Sequence, residues 1–166
     1  GGCGGVLVSL GLRGCHVSSA GLAWLAAAAP RLERLDVAGV ADVDDVALAA
    51  LPSLRELDLS CCMSITDSGV RALTQGSPGL RRVSLHATAV TDAAARWLAR
   101  HCRELRDVNL SLTQVSGRAV RSLLAAPALV TCNLRCAARE FGDGCPLPEL
   151  RRQLAARGGR VLGLER

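Results

Sequence analysis

At 166 residues, 49% hydrophobic and 21% charged, the chain has the length and composition of one folded domain of ordinary size. No apolar stretch is long enough for a membrane span and no signal-peptide pattern is present; the opening GGCGG, without an initiator methionine, reads as a trimmed segment or a partial gene model. All 20 basic residues are Arg and the net charge is +5, but no basic run carries interleaved aromatics for base stacking, so nucleic acid is not the expected partner.

One pattern recurs along the chain. Leu7, Leu10 and Leu12 predict a short strand, Cys15 and Val17 a turn, and Ser18 and Ser19 are candidate caps of a helix through Leu22 and Leu25 that stops near Pro30. Leu32, Leu35 and Val37 form the next strand; Asp44 or Asp45 caps a helix through Leu48 and Leu51, cut short at Pro52. The third unit has Leu54, Leu57 and Leu59, then Cys62 and Ile65, with Thr66 and Asp67 suited to capping a helix through Val70 and Leu73. Leu80, Val83 and Leu85 lead to a cap at Thr91 and Asp92 and a helix anchored by Leu98; Leu105, Val108 and Leu110 lead to Ser116, Val120 and Leu123. After Leu129, Cys132 and Leu134 the pattern decays: helix signals are weak over 137–145. A last helix runs from Pro148 to about Arg157, before a final strand of Val161, Leu162 and Leu164. The leading leucines are 22 to 26 residues apart.

The L-x-x-L-x-L core at 54–59, and LDLSCCMSITDSGV with its counterpart VSLHATAVTDAAA at 83–95, resemble the cysteine-containing leucine-rich repeats of F-box substrate receptors and antagonist-of-mitotic-exit-type proteins. The position that is Cys or Asn in that family reads Cys15, Val40, Cys62, Thr88, Thr113 and Ala137 here, keeping cysteine twice. The resemblance implies an α/β right-handed leucine-rich repeat solenoid, with a curved parallel sheet on the concave face and helices on the convex face. Residues 1–166 then form one domain of about six repeats, with a C-terminal cap over about 137–166. Each repeat covers its neighbour's apolar face, and the last must be atypical to shield the open end. The implied function is protein binding, in its sharp form as the substrate-recognition region of an SCF-type ubiquitin ligase. Skp1 and a cullin would then be engaged through an F-box outside this chain. A stand-alone scaffold is the alternative. Leu147-Pro148-Glu149-Leu150 looks like an F-box opening, but too little chain follows to complete one.

The eight cysteines read as structural. Cys15 and Cys62 fall on the turn position, where a small side chain suits a crowded interior, Cys132 replaces a core leucine, and adjacent Cys61 and Cys62 would bridge only with strain. Cys132, Cys136 and Cys145 do not have recognised zinc spacing, so no metal or other cofactor is expected. This pattern favours a reducing compartment, cytoplasmic or nuclear. Trp24 and Trp97 share one helix column, where outer-layer packing against the neighbouring helix is expected rather than an anchor for a partner.

The candidate partner-binding residues are those between the core positions of the strands. The first column reads Ser9, Arg34, Glu56, Arg82, Asp107, Thr131, and its alternating signs predict a ladder of cross-strand ion pairs. The central column reads Gly11, Asp36, Asp58, Ser84, Asn109, Asn133; its paired carboxylates are unfavourable unless Arg34 or Arg82 screens them. The third reads Arg13, Ala38, Ser60, His86, Ser111, Arg135. Asp36, Asp58, Ser60 and His86 invite a catalytic reading, but no nucleophile motif or phosphate-binding loop accompanies them and no third group orients Ser60 and His86, so no enzyme activity is expected. Reversing Asp36 and Asp58 to Arg is expected to weaken partner binding without changing secondary structure.

Overall fold

A computed structural model describes residues 7–137 and 145–163. Among these, seven three-residue strands form one parallel sheet in chain order: β1 (Ser9–Gly11), β2 (Arg34–Asp36), β3 (Glu56–Asp58), β4 (Arg82–Ser84), β5 (Asp107–Asn109), β6 (Thr131–Asn133) and β7 (Arg160–Leu162). Helices α1 (Ser19–Ala28), α2 (Asp45–Ala50), α3 (Asp67–Gly76), α4 (Asp92–His101), α5 (Gly117–Leu123) and α6 (Leu147–Ala156) alternate with them. Strands this short have no stability of their own and exist through pairing and burial. Leu35, Leu57, Val83, Val108 and Cys132 point inward from the strand centres, and Val37, Leu59, Leu85, Leu110 and Leu134 are buried just beyond them. With Leu48, Leu73, Leu98 and Leu123 from the helices, they form an apolar cluster extending to Leu150 and Leu154 of α6. Residues 138–144, where weak helix signals were expected, and Leu164 lie outside the described residues.

After each of β1 to β6 the chain makes the same left-handed step. The third residue past the strand, Gly14, Gly39, Cys61, Ala87, Leu112 or Cys136, has φ between 52° and 71°. The first five donate their N–H to a carbonyl of the following unit, Ala87 to Ser111 at 3.0 Å for instance. A Cβ makes this conformation costly, and two of the six positions use glycine. Ala87→Gly is therefore expected to stabilise the fold by about 0.5–1 kcal/mol, read as a higher thermal midpoint. A lower midpoint would show that chain entropy outweighs the relief of strain.

The helices start on short polar residues. Ser18, Asp44, Thr66, Thr91 and Ser116 are the N-caps of α1 to α5, each accepting a backbone N–H of the first turn. Hydrogen bonds from the Ser19 hydroxyl and then the Ala47 N–H hold the Asp44 carboxyl below its ordinary range. The aspartates of the predicted Thr-Asp caps do something different from capping their own helix. Asp67 accepts from the Thr91 N–H (2.9 Å), the Thr91 hydroxyl (2.6 Å) and the Ala94 N–H (2.9 Å) of the next unit. Asp92 accepts from the Ser116 N–H and hydroxyl and the Ala119 N–H, and Asp45 from the Thr66 N–H and hydroxyl. A carboxylate ladder thus ties the start of each helix to the next. It ends at α5, where Gly117 replaces the aspartate and Cys145 lies against the glycine.

Two expectations, those for Cys15 and Trp24, are corrected. Cys62 is buried and donates to the Val37 carbonyl of the preceding unit, but Cys15 is exposed. Trp97 is half-buried, under the Arg71 guanidinium at 5.0 Å and stacked on His101, as an outer-layer residue should be. Trp24 is 73% exposed and does not share that packing. The three cysteines weighed as metal ligands diverge: Cys132 is in the core, Cys136 is exposed on the left-handed turn, and Cys145 sits against Gly117.

At the C-terminal end β7 adds a seventh rung. Its approach is made possible by glycine: a Cβ on Gly159 would lie 1.9 Å from the Val130 carbonyl oxygen, and one on Gly163 2.3 Å from the Arg135 Cα.

Candidate functional site

The strand register places the first two polar columns on one face of the sheet, and the third column follows just beyond the strands. Ser9, Arg34, Glu56, Arg82, Asp107 and Thr131 are successive neighbours, extended by Arg160, and Gly11, Asp36, Asp58, Ser84, Asn109 and Asn133 are extended by Leu162. The first two columns line an open groove of about 540 Å³. A second hollow beside it is lined by Arg13, Ser60, His86, Ser111 and Arg135, with Asn109 and Asn133 on its border. All ten candidate residues, Arg34, Asp36, Glu56, Asp58, Arg82, Ser84, His86, Asp107, Asn109 and Asn133, line one or the other.

The central column has a structural task that sequence reasoning missed. One side-chain oxygen of Asp36, Asp58, Asn109 and Asn133 accepts the backbone N–H two residues on, from Ala38, Ser60, Ser111 and Arg135, at 2.9–3.1 Å. This Asx turn leads the chain out of the strand toward the left-handed step. The recurrence of Asp or Asn at the end of four of the six strands β1 to β6 was the available signal.

Charge is arranged otherwise than the pattern suggested. The paired carboxylates are screened by Arg13, not by Arg34 or Arg82: the Arg13 guanidinium reaches across two strands to Asp36 (3.1 Å) and Asp58 (3.0 Å). Hydrogen bonding to Asp36, then the charges of Asp36 and Asp58, raise the Arg13 pKa further above its ordinary value. The alternating ladder is also incomplete. Arg82 pairs with Glu56 (3.5 Å) and Asp107 (3.0 Å), while Arg34 makes no ion pair among the described residues. Each cluster has two carboxylates for one guanidinium. These are exposed contacts that organise the surface more than they stabilise it.

His86 and Ser60 do not meet. His86 Nδ1 lies 2.8 Å from the Ser111 hydroxyl, and that hydroxyl donates to Asn109 Oδ1 at 2.6 Å. With its proton committed to Asn109, Ser111 receives the His86 N–H rather than giving up a proton to it. Ser60 similarly donates to Asp58 at 2.5 Å, beside Ser84 at 2.8 Å. The Ser60 hydroxyl thus faces a carboxylate and the Ser111 hydroxyl an amide oxygen, and neither serine gives its proton to His86. Among the described residues no group of three His, Cys, Asp or Glu side chains is gathered to hold a metal ion.

A protein family described as Leucine Rich repeat matches residues 50–73, from the end of α2 through β3 into α3. That segment is one unit of the strand–turn–helix pattern built six times over by β1 to β6. The fold is an α/β leucine-rich-repeat solenoid. No curated protein matches the chain significantly. Solenoids of this type are protein-interaction modules, with their exposed strand positions free to vary over a fixed frame. No helix among the described residues of this solenoid is long and apolar enough to cross a membrane.

Proposed function

We propose that the concave sheet binds a protein partner, with Arg34, Asp36, Glu56, Asp58, Arg82, Ser84, His86, Asp107, Asn109 and Asn133 at the interface. The observation that carries this reading is the continuous polar face of two registered columns, open to solvent along the groove. In the sharper form the chain is the substrate-recognition region of an SCF-type ubiquitin ligase, and Skp1 and a cullin join through an F-box outside these residues. Its support is the likeness of LDLSCCMSITDSGV to the cysteine-containing repeats of such receptors. A cytoplasmic or nuclear setting suits the buried free thiols Cys62, Cys102 and Cys132.

The surface test needs a substitution that respects the Asx turns. Arg at positions 36 and 58 would remove the oxygens that accept the Ala38 and Ser60 N–H and set three guanidinia together, so the expectation of unchanged structure no longer holds for reversal. Asp36→Asn with Asp58→Asn keeps an accepting oxygen and deletes both charges. A pull-down from native lysate with the full-length product, read by mass spectrometry, identifies the partner; the double variant is expected to bind it about tenfold or more weakly with an unchanged circular dichroism spectrum. Unchanged affinity would move the interface off β2 and β3. Recovery of a Skp1-like adaptor with a cullin supports the ligase reading, and a stable partner without them supports a plain scaffold.

A further inference from the structure

The Asx turns divide the groove into two chemically opposite halves. In each rung that has one, the turn uses one side-chain oxygen and leaves the other terminal atom for the groove. In β2 and β3 the residue is aspartate, so the remaining atom is an acceptor, Oδ2, already turned toward Arg13. In β5 and β6 it is asparagine. Only the amide oxygen can accept from the Ser111 and Arg135 N–H, so Nδ2 is the atom left over. Ser84 marks the change between the halves.

Cations flank this donor half. Arg135 lies two residues beyond Asn133, and Arg160 is in register with Thr131 on β7. Both are exposed, and neither makes an ion pair with a carboxylate among the described residues. Asp107, the acid two residues before Asn109, is engaged by Arg82 at 3.0 Å. Asn109 and Asn133 are register neighbours, about 4.8 Å apart across a parallel pair, a separation a carboxylate seated between them spans.

We propose that the β5–β7 end of the concave face recognises an acidic segment, rich in Glu or Asp, of the protein partner. Asn109 and Asn133 supply neutral donors to its carboxylates, and Arg135 and Arg160 supply the charge. The proposal rests on the concave face being the binding surface and adds the chemistry of what it takes.

Asn109→Asp with Asn133→Asp tests this without disturbing the frame, because aspartate already makes the same turn at positions 36 and 58. Only the outward atom changes, from donor to anionic acceptor. The probe is a fluorescein-labelled hexaglutamate peptide, followed by anisotropy with the 166-residue chain, with labelled hexalysine and free inorganic phosphate as comparisons. Hexaglutamate is expected to bind more tightly than hexalysine and to lose about tenfold or more in affinity in the double variant, whose circular dichroism and melting stay at wild type. Binding that survives the double substitution, or no preference over hexalysine, overturns the proposal. Displacement of the peptide by phosphate at matched charge concentration would reassign the site to a small anion and also overturn it. If Asp36→Asn/Asp58→Asn weakens partner capture while hexaglutamate fails to bind, the interaction surface stands and only its acidic specificity falls.

Discussion

Asp67→Ala is expected to destabilise the chain by about 2–3 kcal/mol, lowering the thermal midpoint by roughly 5–10 °C for a protein of this size. The Asp67 carboxylate receives two backbone N–H groups and one hydroxyl from the next unit; its removal orphans the Thr91 N–H and leaves the Ala94 N–H only the Thr91 carbonyl at 3.1 Å. Water recovers part of the loss because the site is half-buried, which keeps the figure below the sum of three charged hydrogen bonds. Asp67→Asn should lose much less, since an amide oxygen still accepts both N–H groups and the amide nitrogen can donate to the Thr91 hydroxyl. Asp92→Ala should behave like Asp67→Ala, and Asp45→Ala should cost less because it accepts two bonds rather than three. Thermal melts of these four variants check the order. Equal melting of Asp67→Ala and Asp67→Asn would mean that charge near the helix start, not the bonds between units, accounts for the effect.

Those aspartates also mark the boundary of what the sequence discloses. The period of hydrophobic triplets assigned each strand its register, because a strand shifted by one residue would turn Leu57 or Val83 outward and Asp58 or Ser84 inward. The three surface columns were therefore legible in advance, and so were the capping residues Ser18, Thr66, Thr91 and Ser116. Capping rules are local, relating a residue to the two or three that follow, so they located Asp67 at a helix start without showing that it serves the next helix. Reach was illegible for the same reason. Arg13 was read as part of the third column, and nothing in a pattern of residue types shows its guanidinium extending over two strands to Asp58. Trp24 and Trp97 share a column but not an environment, since Arg71 provides a lid for one of them alone. Nothing in the residue type of Gly159 shows how short its distance from the Val130 carbonyl is.

That distance sets up the other large effect. Gly159→Ala is expected to detach the terminal rung and expose the Cys132 thiol. The Val130 oxygen that a new Cβ would meet at 1.9 Å is also the acceptor of the Arg160 N–H, the bond that begins the pairing of β7 with β6. The obstacle is backbone, with no flexible side chain to swing aside, so the overpacking should cost about 3 kcal/mol. In an array whose units contact only their neighbours, this loss falls on the end unit and not on the whole chain. Cys132 is the reporter because it is in register with Val161 of β7, and burial pushes its thiol pKa up to about 12, leaving little reactive thiolate. In the wild type, Ellman's reagent should label exposed Cys15, Cys61 and Cys136 quickly and leave Cys132 protected. In Gly159→Ala, Cys132 should join the fast-reacting set. Cys102, whose thiol is likewise raised to about 12 by burial but lies at the end of α4, should stay protected and show that the inner units remain folded. Gly158→Ala is the matched control: its φ of +73° penalises a side chain, but no atom lies within 4 Å of the added Cβ, so it should cost only about 1 kcal/mol and leave Cys132 protected. Protection of Cys132 in Gly159→Ala, with an unchanged melt, would mean that β7 can draw back from Val130 without leaving the sheet.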